Sequence, residues 1–295
     1  MNIKKWLINN THSLQGKLIG ITGASGDLGK EVCKILVGLG ANLLLVNRDE
    51  LKTTKLIGEL KQINPNVLIY KEIVDFEKFY EVKKSVEKIR SYKMDVLIVN
   101  AGAYKIDRRI SDIGYDNVFQ INFVSQYYLI REIVMDMNKL GKGKVVAVSS
   151  IAYNYSKCDL TDVDFLNNNS CSKVYGNSKR FLMCSLYELF KNIDNVSLSI
   201  VHPGISYTNI TSHYPKIIFK FIKYPMKIIF SRPKKACLSI VKGIYDECKY
   251  FEWIGPKYFN IWGFPSKKII NKCSKEESIL IGITSENIYK NLILK

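Results

Sequence analysis

The sequence predicts an α/β protein built on a doubly wound parallel sheet. Short apolar segments alternate with amphipathic helical segments, a pattern typical of parallel strands joined by right-handed helical crossovers. The first apolar segment runs into a glycine-rich turn that opens a helix. Polar residues then follow the ends of several strands, which is where ligands bind in open α/β sheets. These three observations predict a single domain of the Rossmann type.

The composition fits one folded domain without a membrane span. The chain has 295 residues, of which 47% are apolar, enough to bury a full core. It contains no run of about 18 uncharged apolar residues, and residues 1–11 lack a continuous apolar segment. We therefore expect a cytoplasmic protein with neither a transmembrane helix nor a signal peptide. The domain is expected at 1–265, with its core from about residue 15, and an amphipathic tail at 266–295.

The net charge of +17 does not by itself indicate a nucleic-acid partner. The excess is almost entirely Lys, spread along a chain that is also rich in Asn and Ile, which fits an A/T-rich coding bias. No basic cluster interleaves with a nucleic-acid motif, so we expect no such partner. The seven cysteines have no Cys-x-x-Cys spacing and the three histidines are far apart, which predicts reduced thiols and no metal site.

The first strand, predicted at 17–22, leads into the glycine turn. Glycines at 23, 26 and 29 precede a helical pattern that closes at Gly40. Glycine allows a tight turn and a close approach of the backbone to a pyrophosphate, which the N–H groups of a helix N-terminus can bind. The turn therefore predicts a dinucleotide site formed by Gly23, Ser25, Gly26, Asp27, Leu28 and Gly29.

The end of the second strand, 42–47, favours NADP over NAD. An NAD site usually has an acidic residue here to bind the ribose 2′-OH, whereas this chain has Asn47 and Arg48. A neutral residue beside a guanidinium suits a 2′-phosphate. Asp49 keeps NAD open as an alternative, but it is also a natural N-cap for a helix predicted at 50–63.

Four further strands and two long helices continue the predicted sheet. The strands are expected at 67–74, 95–99, 144–148 and 196–201, and the helices at 76–91 and 113–139. The strand ends supply further candidate cofactor residues, namely Asp75, Phe76, Asn100, Ala101, Gly102, Pro203, Gly204 and Thr208. Ser150 follows the fifth strand, and Asn122 lies in the second of these helices.

A Tyr and a Lys four residues apart, Tyr175 and Lys179, open the helical segment after the fifth strand. They share one helix face, so the ammonium can favour the phenolate and lower the Tyr pKa towards a range useful for proton transfer. Other Tyr-x-x-x-Lys pairs begin at Tyr80, Tyr153, Tyr187 and Tyr245. Tyr153 is the strongest rival, because it lies in the loop that follows Ser150. Tyr175 is preferred because its helix turns the side chain back over the strand ends.

Together these motifs resemble the short-chain dehydrogenase/reductase family over about residues 15–265, and within it the retinol-dehydrogenase-like branch. The matching segments are Thr22-Gly-Ala-Ser…Gly29, Asn100-Ala-Gly102, Asn122, Ser150, Tyr175-x-x-x-Lys179 and Pro203-Gly204. The resemblance implies that Tyr175 is the general acid/base and that Lys179 binds the nicotinamide ribose and lowers the pKa of Tyr175. It also implies that Ser150 hydrogen-bonds the substrate oxygen and that Asn122 holds a water of the proton relay.

One departure from the family pattern leaves other chemistry open. Asp27 stands where compact members carry the middle glycine, and this spacing is closer to the extended members, which include epimerases and dehydratases. The expected reaction is hydride transfer between NADP(H) and the carbonyl or alcohol of an apolar substrate. The alternatives are an epimerase or dehydratase acting on a nucleotide sugar, and a regulatory protein that binds NADP without turnover.

The segment 214–231 predicts where the substrate lies. Its lysines recur on one helical face at Lys216, Lys220, Lys223 and Lys227. We expect a substrate lid whose lysines face water, and the alternative is an interfacial helix in peripheral contact with an anionic membrane. Both interpretations imply a bulky apolar substrate. A last strand with a turn is expected at 251–263, while homo-oligomer formation and the packing of the tail stay open.

Overall fold

The computed structural model describes residues 2–155, 157–168, 170–204 and 232–294. Within these ranges the strands are β1 Leu18–Thr22, β2 Asn42–Asn47, β3 Ile69–Ile73, β4 Val96–Val99, β5 Gly143–Val148, β6 Val196–Val201, β7 Glu252–Tyr258 and β8 Trp262–Ile269. The α-helices are α1 Ile3–Asn10, α2 Asp27–Gly38, α3 Glu50–Ile63, α4 Phe79–Ser91, α5 Asn117–Phe119, α6 Ser125–Lys139, α7 Cys171–Leu189, α8 Pro233–Ala236, α9 Leu238–Tyr245 and α10 Lys275–Ile293. A π-helical turn spans Gln120–Val124, and 3₁₀ turns span Ile151–Tyr155 and Phe190–Asn192.

The described strands form one sheet in the order β3-β2-β1-β4-β5-β6-β7-β8. Neighbouring strands from β1 to β7 are parallel, and β8 pairs with β7 in the antiparallel direction. The chain crosses from β3 to β4 over β1, so the strand order reverses between β1 and β4. A crevice at such a switch point is the usual nucleotide site of this fold class. The predicted doubly wound α/β fold is confirmed, with one antiparallel strand added at the edge.

The sheet is buried on both faces. Along β2, Leu44 and Val46 join an apolar core formed with α4, α6, α7 and α10, whereas Leu43 and Leu45 join a second core formed with α1, α2, α3 and α9. Successive side chains of a strand point to opposite faces, so a continuous apolar run is what a doubly covered strand requires. This is why the central strands could be predicted closely from their apolar segments.

The helix expected at 113–139 begins later and is interrupted. The Asp116 carboxylate caps α5 by accepting hydrogen bonds from the N–H groups of Val118 and Phe119, and the π-helical turn separates α5 from α6. Every residue from 116 to 130 is buried, so the apolar periodicity gives no sign of the turn. The helix that carries Tyr175 also differs, because it begins at Cys171 with Ser170 as its N-cap.

The strand and turn expected at 251–263 are a hairpin of β7 and β8. Because β8 continues to Ile269, the expected domain end at 265 falls inside a strand of the sheet. The segment beyond β8 forms α10, which packs against the body of the protein. Its Glu277 pairs with Arg180 on α7 at 2.6 Å, and its Glu286 pairs with Arg131 on α6 at 2.9 Å. The C-terminal segment is therefore part of the same folded unit.

Candidate active site

The glycine turn after β1 is held by residues that follow β4. The Thr22 hydroxyl accepts hydrogen bonds from the N–H groups of Asn100 at 3.0 Å and Ala101 at 2.9 Å. The Asn100 amide donates to the carbonyls of Thr22 and Gly23, both at 3.1 Å. Gly23 has a φ of +66°, and a Cβ on Gly29 would lie 2.4 Å from the Gly23 carbonyl oxygen. Both positions therefore require glycine, as a tight turn before a helix predicts.

The turn presents the start of α2 at the switch point. Gly26 is the N-cap and contributes no side-chain capping bond, and Asp27 and Leu28 are the first helical residues. The N–H groups of a first helical turn lack acceptors within the helix, so they are available to the phosphates of a dinucleotide. Asp27 places a carboxylate at the same helix end, which opposes anion binding there.

Asn47 and Arg48 lie beyond this turn, at the end of β2. Asn47 is 2% exposed, and its Oδ1 accepts a hydrogen bond from the N–H of Ser25 at 3.0 Å. Its Nδ2 finds no partner among the described residues, and a buried donor of this kind is costly unless a ligand or water binds it. Arg48 is exposed. Asp49 caps α3 by accepting from the N–H of Lys52, which is the capping role its position suggested.

The turns after β3 and β6 complete the cofactor-facing edge. Asp75 accepts a hydrogen bond from the N–H of Glu77 at 3.1 Å, and the Phe76 carbonyl accepts one from the Ser125 hydroxyl at 2.7 Å. Pro203 follows β6, and Gly204 has a φ of +83°. Thr208 and the segment 214–231, where we expect the lid, lie outside the described residues.

Asn122 lies in the π-helical turn and joins three parts of the site. It is fully buried. Its Oδ1 accepts from the N–H of Ala103 at 2.7 Å, and its Nδ2 donates to the Ala103 carbonyl at 2.8 Å and to the Ser178 hydroxyl at 3.1 Å. The Ser178 hydroxyl in turn donates to the Tyr175 carbonyl at 2.7 Å. Asn122 therefore connects the loop after β4 to the helix that carries Tyr175 and Lys179.

Tyr175, Ser150 and Lys179 come together over the carboxyl ends of β4 and β5. The Lys179 ammonium donates to the Val148 carbonyl at 2.9 Å and lies 5.9 Å from the centroid of the Tyr175 ring. A Cβ on Gly102 would lie 3.4 Å from Lys179 Nζ and 3.0 Å from Asn122 Oδ1. A side chain at 102 would therefore reduce the space beside the ammonium.

Burial is the largest influence on the ionisation of Tyr175 and Lys179. Burial raises the pKa of the Tyr175 phenol to about 12, and a hydrogen bond with the Ser150 side chain opposes that rise. Burial also lowers the pKa of the Lys179 ammonium to about 8. Burial is the largest cause of the Tyr175 shift and the Ser150 hydrogen bond is the cause that opposes it, so the lowering expected from Lys179 stays a prediction. The i, i+4 spacing of Tyr175 and Lys179 gives no sign that burial shifts the pKa of either side chain.

Tyr104 is a site residue that the sequence did not identify. Its ring meets the Tyr175 ring edge-on with centroids 4.9 Å apart, and its hydroxyl lies 2.9 Å from the Ser172 hydroxyl. Tyr104 lies two residues after Gly102 in a loop without periodicity, so no sequence pattern predicts that it belongs to the site. Ser178 was likewise missed, although its place three residues after Tyr175 puts it on the same side of α7.

The rival tyrosines lie elsewhere. Tyr153 is buried with its ring against Trp253 at 5.4 Å, while Lys157 is exposed, so these two do not form a pair. Tyr187 donates its hydroxyl to the Glu252 carbonyl at 2.5 Å, and Tyr245 donates to the His12 carbonyl at 2.7 Å. Tyr80 is exposed. The Tyr153 N–H donates to the Ser150 carbonyl at 3.1 Å, whereas the Tyr175 hydroxyl is hydrogen-bonded to the Ser150 side chain.

The geometry fits a nicotinamide dinucleotide. The turn at Gly23 and Gly29 allows close backbone approach, the start of α2 can hold phosphates, and the unpartnered Asn47 amide is buried beside this turn. Lys179 lies beside Gly102, in the loop that follows β4. A family model described as short chain dehydrogenase matches residues 17–216, more than half of the chain. The chain belongs to the short-chain dehydrogenase family. It is an NAD(P)-dependent oxidoreductase acting on CH–OH groups.

Curated relatives place it near one branch of the family. It is 24% identical to retinol dehydrogenase 14 of Mus musculus over 265 residues, which cover 80% of this chain and 79% of the relative. It is 25% identical to retinol dehydrogenase 12 of the same organism over 202 residues, covering 67% and 64%. An uncharacterized oxidoreductase of Schizosaccharomyces pombe is 27% identical over 241 residues, covering 76% and 70%. This short-chain dehydrogenase resembles the retinol-dehydrogenase-like branch, as its motifs predicted.

Two solved structures share the fold of this chain. An uncharacterized protein from Mycobacterium paratuberculosis superposes with a TM-score of 0.74 at 18% identity, covering 96% of each chain. L-Sorbose reductase from Gluconobacter frateurii, solved with NADPH and L-sorbose, gives a TM-score of 0.61 at 21% identity, covering 76% of this chain and 88% of that one. Among the described residues, every helix is too short or too polar to cross a bilayer.

Proposed function

We propose that this dehydrogenase transfers a hydride between NADP(H) and the carbonyl or alcohol of an apolar substrate, with Tyr175 as the general acid/base. The meeting of Tyr175, Ser150, Lys179 and Asn122 at the carboxyl edge of β4 and β5 carries this proposal. NADP(H), when bound, supplies or accepts the hydride. The chain's own residues then need to orient the substrate and move one proton.

Tyr175 is suited to donate that proton. A phenol with a pKa of about 12 keeps its proton at neutral pH, so it can protonate the oxygen of a carbonyl as reduction proceeds. Ser150 hydrogen-bonds the phenol and can orient the substrate oxygen beside it. The Lys179 ammonium, fixed to the Val148 carbonyl, supplies a positive charge at the same place.

The choice of NADP rests on Arg48. The guanidinium is exposed directly after β2, and the nearest acidic residue in sequence, Asp49, is engaged as the N-cap of α3. An exposed guanidinium can pair with a 2′-phosphate, whereas an NAD site needs a free carboxylate for the ribose 2′-OH. Arg48→Glu should lower the affinity for NADPH by roughly 10–100-fold. The affinity for NADH should change little.

Lys55→Glu is the matched control for that substitution. Lys55 is also exposed and lies on α3, so its replacement makes the same change of charge away from the end of β2. Both dissociation constants are measured by nucleotide fluorescence. An equal loss of NADPH affinity in the two variants would mean that net charge, and not a contact at Arg48, governs binding.

An apolar substrate is favoured by the surroundings of Tyr175 and by the relatives. Tyr175 packs against a small apolar cluster that contains Val118, Phe165 and Val174, with Ile106 at its margin. Three of the curated relatives are named retinol dehydrogenases, and retinol is apolar. Turnover with NADPH on long-chain and aromatic aldehydes should exceed turnover on sugars such as L-sorbose. Activity confined to small polar carbonyls would refute the substrate class.

The other functions considered from the sequence have less support. The family match and the named relatives favour a dehydrogenase over an epimerase or dehydratase, and a nucleotide sugar that was turned over would reverse that preference. A non-catalytic sensor would have no need of the Asn122, Ser150, Tyr175 and Lys179 set. A cytoplasmic location, peripheral membrane contact through 214–231 and homo-oligomer formation stay predictions.

A further inference from the structure

Two cysteine thiols lie in contact behind the active-site helix. Cys184 is on α7, five residues after Lys179, and Cys273 precedes α10. Their Sγ atoms are 3.0 Å apart. Cys184 is fully buried, whereas Cys273 is partly exposed. A solution oxidant can therefore reach one member of the pair while the other is held against it.

The surroundings of the pair are charged. The Arg180 guanidinium, one turn before Cys184, donates to the Glu277 carboxylate at 2.6 Å and to the Lys272 carbonyl at 3.0 Å. Its charge lowers the pKa of Cys184 and so opposes the rise caused by the contact with Cys273 and by burial. The net result is a Cys184 pKa well above its usual range, so the short sulfur contact, and not thiol acidity, is the observation that favours disulfide formation.

A third thiol provides an internal comparison. Cys158 lies near Arg180 and Glu277, and its backbone N–H donates to Glu277 Oε1 at 3.0 Å. Burial raises the pKa of Cys158 to about 12. All seven cysteines are free thiols. The short sulfur contact therefore distinguishes the Cys184–Cys273 pair from the rest.

We propose that Cys184 and Cys273 form a reversible disulfide when the protein meets a low-molecular-weight disulfide. The Cys273 thiolate attacks one sulfur of the oxidant, forming a mixed disulfide and releasing one thiolate. Cys184 then attacks Cys273 Sγ, which forms the protein disulfide and releases the second thiol. The protein loses two electrons and two protons, and the oxidant is reduced to two thiols.

The disulfide would join the start of α10 to the helix that carries Tyr175 and Lys179. It would close a loop from residue 184 to residue 273 and thereby restrict the unfolded chain. We expect the midpoint of thermal unfolding to rise by roughly 5–10 °C on oxidation. This inference does not depend on the proposed substrate or cofactor, because its readouts are covalent and thermal.

The full-length chain, first reduced and freed of reductant, is incubated with oxidised glutathione. The remaining thiols are then alkylated under denaturing conditions. We expect the number of alkylated thiols to fall from seven to five per chain, with a digest peptide linking Cys184 to Cys273. Dithiothreitol should restore all seven thiols and the lower unfolding midpoint.

Cys273→Ser, at the partly exposed position, and Cys184→Ala should each remove both the link and the thermal shift. Cys171→Ser is the matched control, since Cys171 is a partly exposed thiol on the same helix and should leave both intact. The proposal is overturned if the linked peptide contains Cys158 instead. It is also overturned if glutathione remains attached to Cys273, or if seven thiols persist.

Discussion

Replacing Asn122 with Ala removes three hydrogen bonds that join the π-helical turn to the loop after β4 and to α7. The bonds are 2.7 and 2.8 Å to the Ala103 backbone and 3.1 Å to the Ser178 hydroxyl. Each contributes about 1 kcal/mol net, so the three together give an expected loss of stability of roughly 3 kcal/mol. For a domain of this size the unfolding midpoint should fall by roughly 6–12 °C.

The assay is thermal unfolding followed by circular dichroism, with turnover measured per folded molecule at a temperature where the variant remains folded. Asn117→Ala is the control, because Asn117 is also fully buried and donates to the Asp107 carbonyl at 3.0 Å. Both variants should lose stability, but only Asn122→Ala should also lose turnover. A midpoint unchanged by Asn122→Ala would refute the hydrogen-bond argument, and normal turnover would limit Asn122 to a structural role.

Two further predictions concern the cofactor site. Gly29→Ala places a Cβ 2.4 Å from the Gly23 carbonyl oxygen, so the turn must open to accommodate it. The affinity for NADPH should therefore fall at least about tenfold. A fluorescence titration with the wild-type dissociation constant would contradict this. The pKa of Lys179 is lowered to about 8, so the ammonium loses its proton as the pH rises through that value. NADPH affinity should therefore hold near neutral pH and decline above about pH 8, whereas an affinity that is level up to pH 10 would show that the charge does not contribute.

The sequence carried most of the information about the strands and the glycine turn. β2 and β6 have the predicted bounds, and Gly23 and Gly29 are required by backbone contacts that a tight turn imposes. These features depend on local physics, namely side-chain alternation across a strand and the conformational freedom of glycine. The polar residues that directly follow the strands then predicted that the site lies at the carboxyl edge of the sheet.

The features that escaped prediction depend on contacts between distant residues. The π-helical turn around Asn122 is hidden because both sides of the helix are buried there, which removes the periodic signal. The place of α10 is set by Glu277 and Glu286, whose partners Arg180 and Arg131 lie about a hundred or more residues earlier. Likewise, the spacing of Tyr175 and Lys179 shows that they share a helix face but not that Lys179 is buried and Tyr175 partly buried.

The role of Tyr175 is the central claim, and Tyr175→Phe tests it most directly. Wild type, Tyr175→Phe and the rival Tyr153→Phe are each titrated with NADPH and then assayed on apolar aldehydes and ketones. We expect similar NADPH affinity in all three and turnover in Tyr175→Phe reduced by at least about 100-fold, with Tyr153→Phe close to wild type. Turnover that survives in Tyr175→Phe but is lost in Tyr153→Phe would contradict the assignment of the general acid/base.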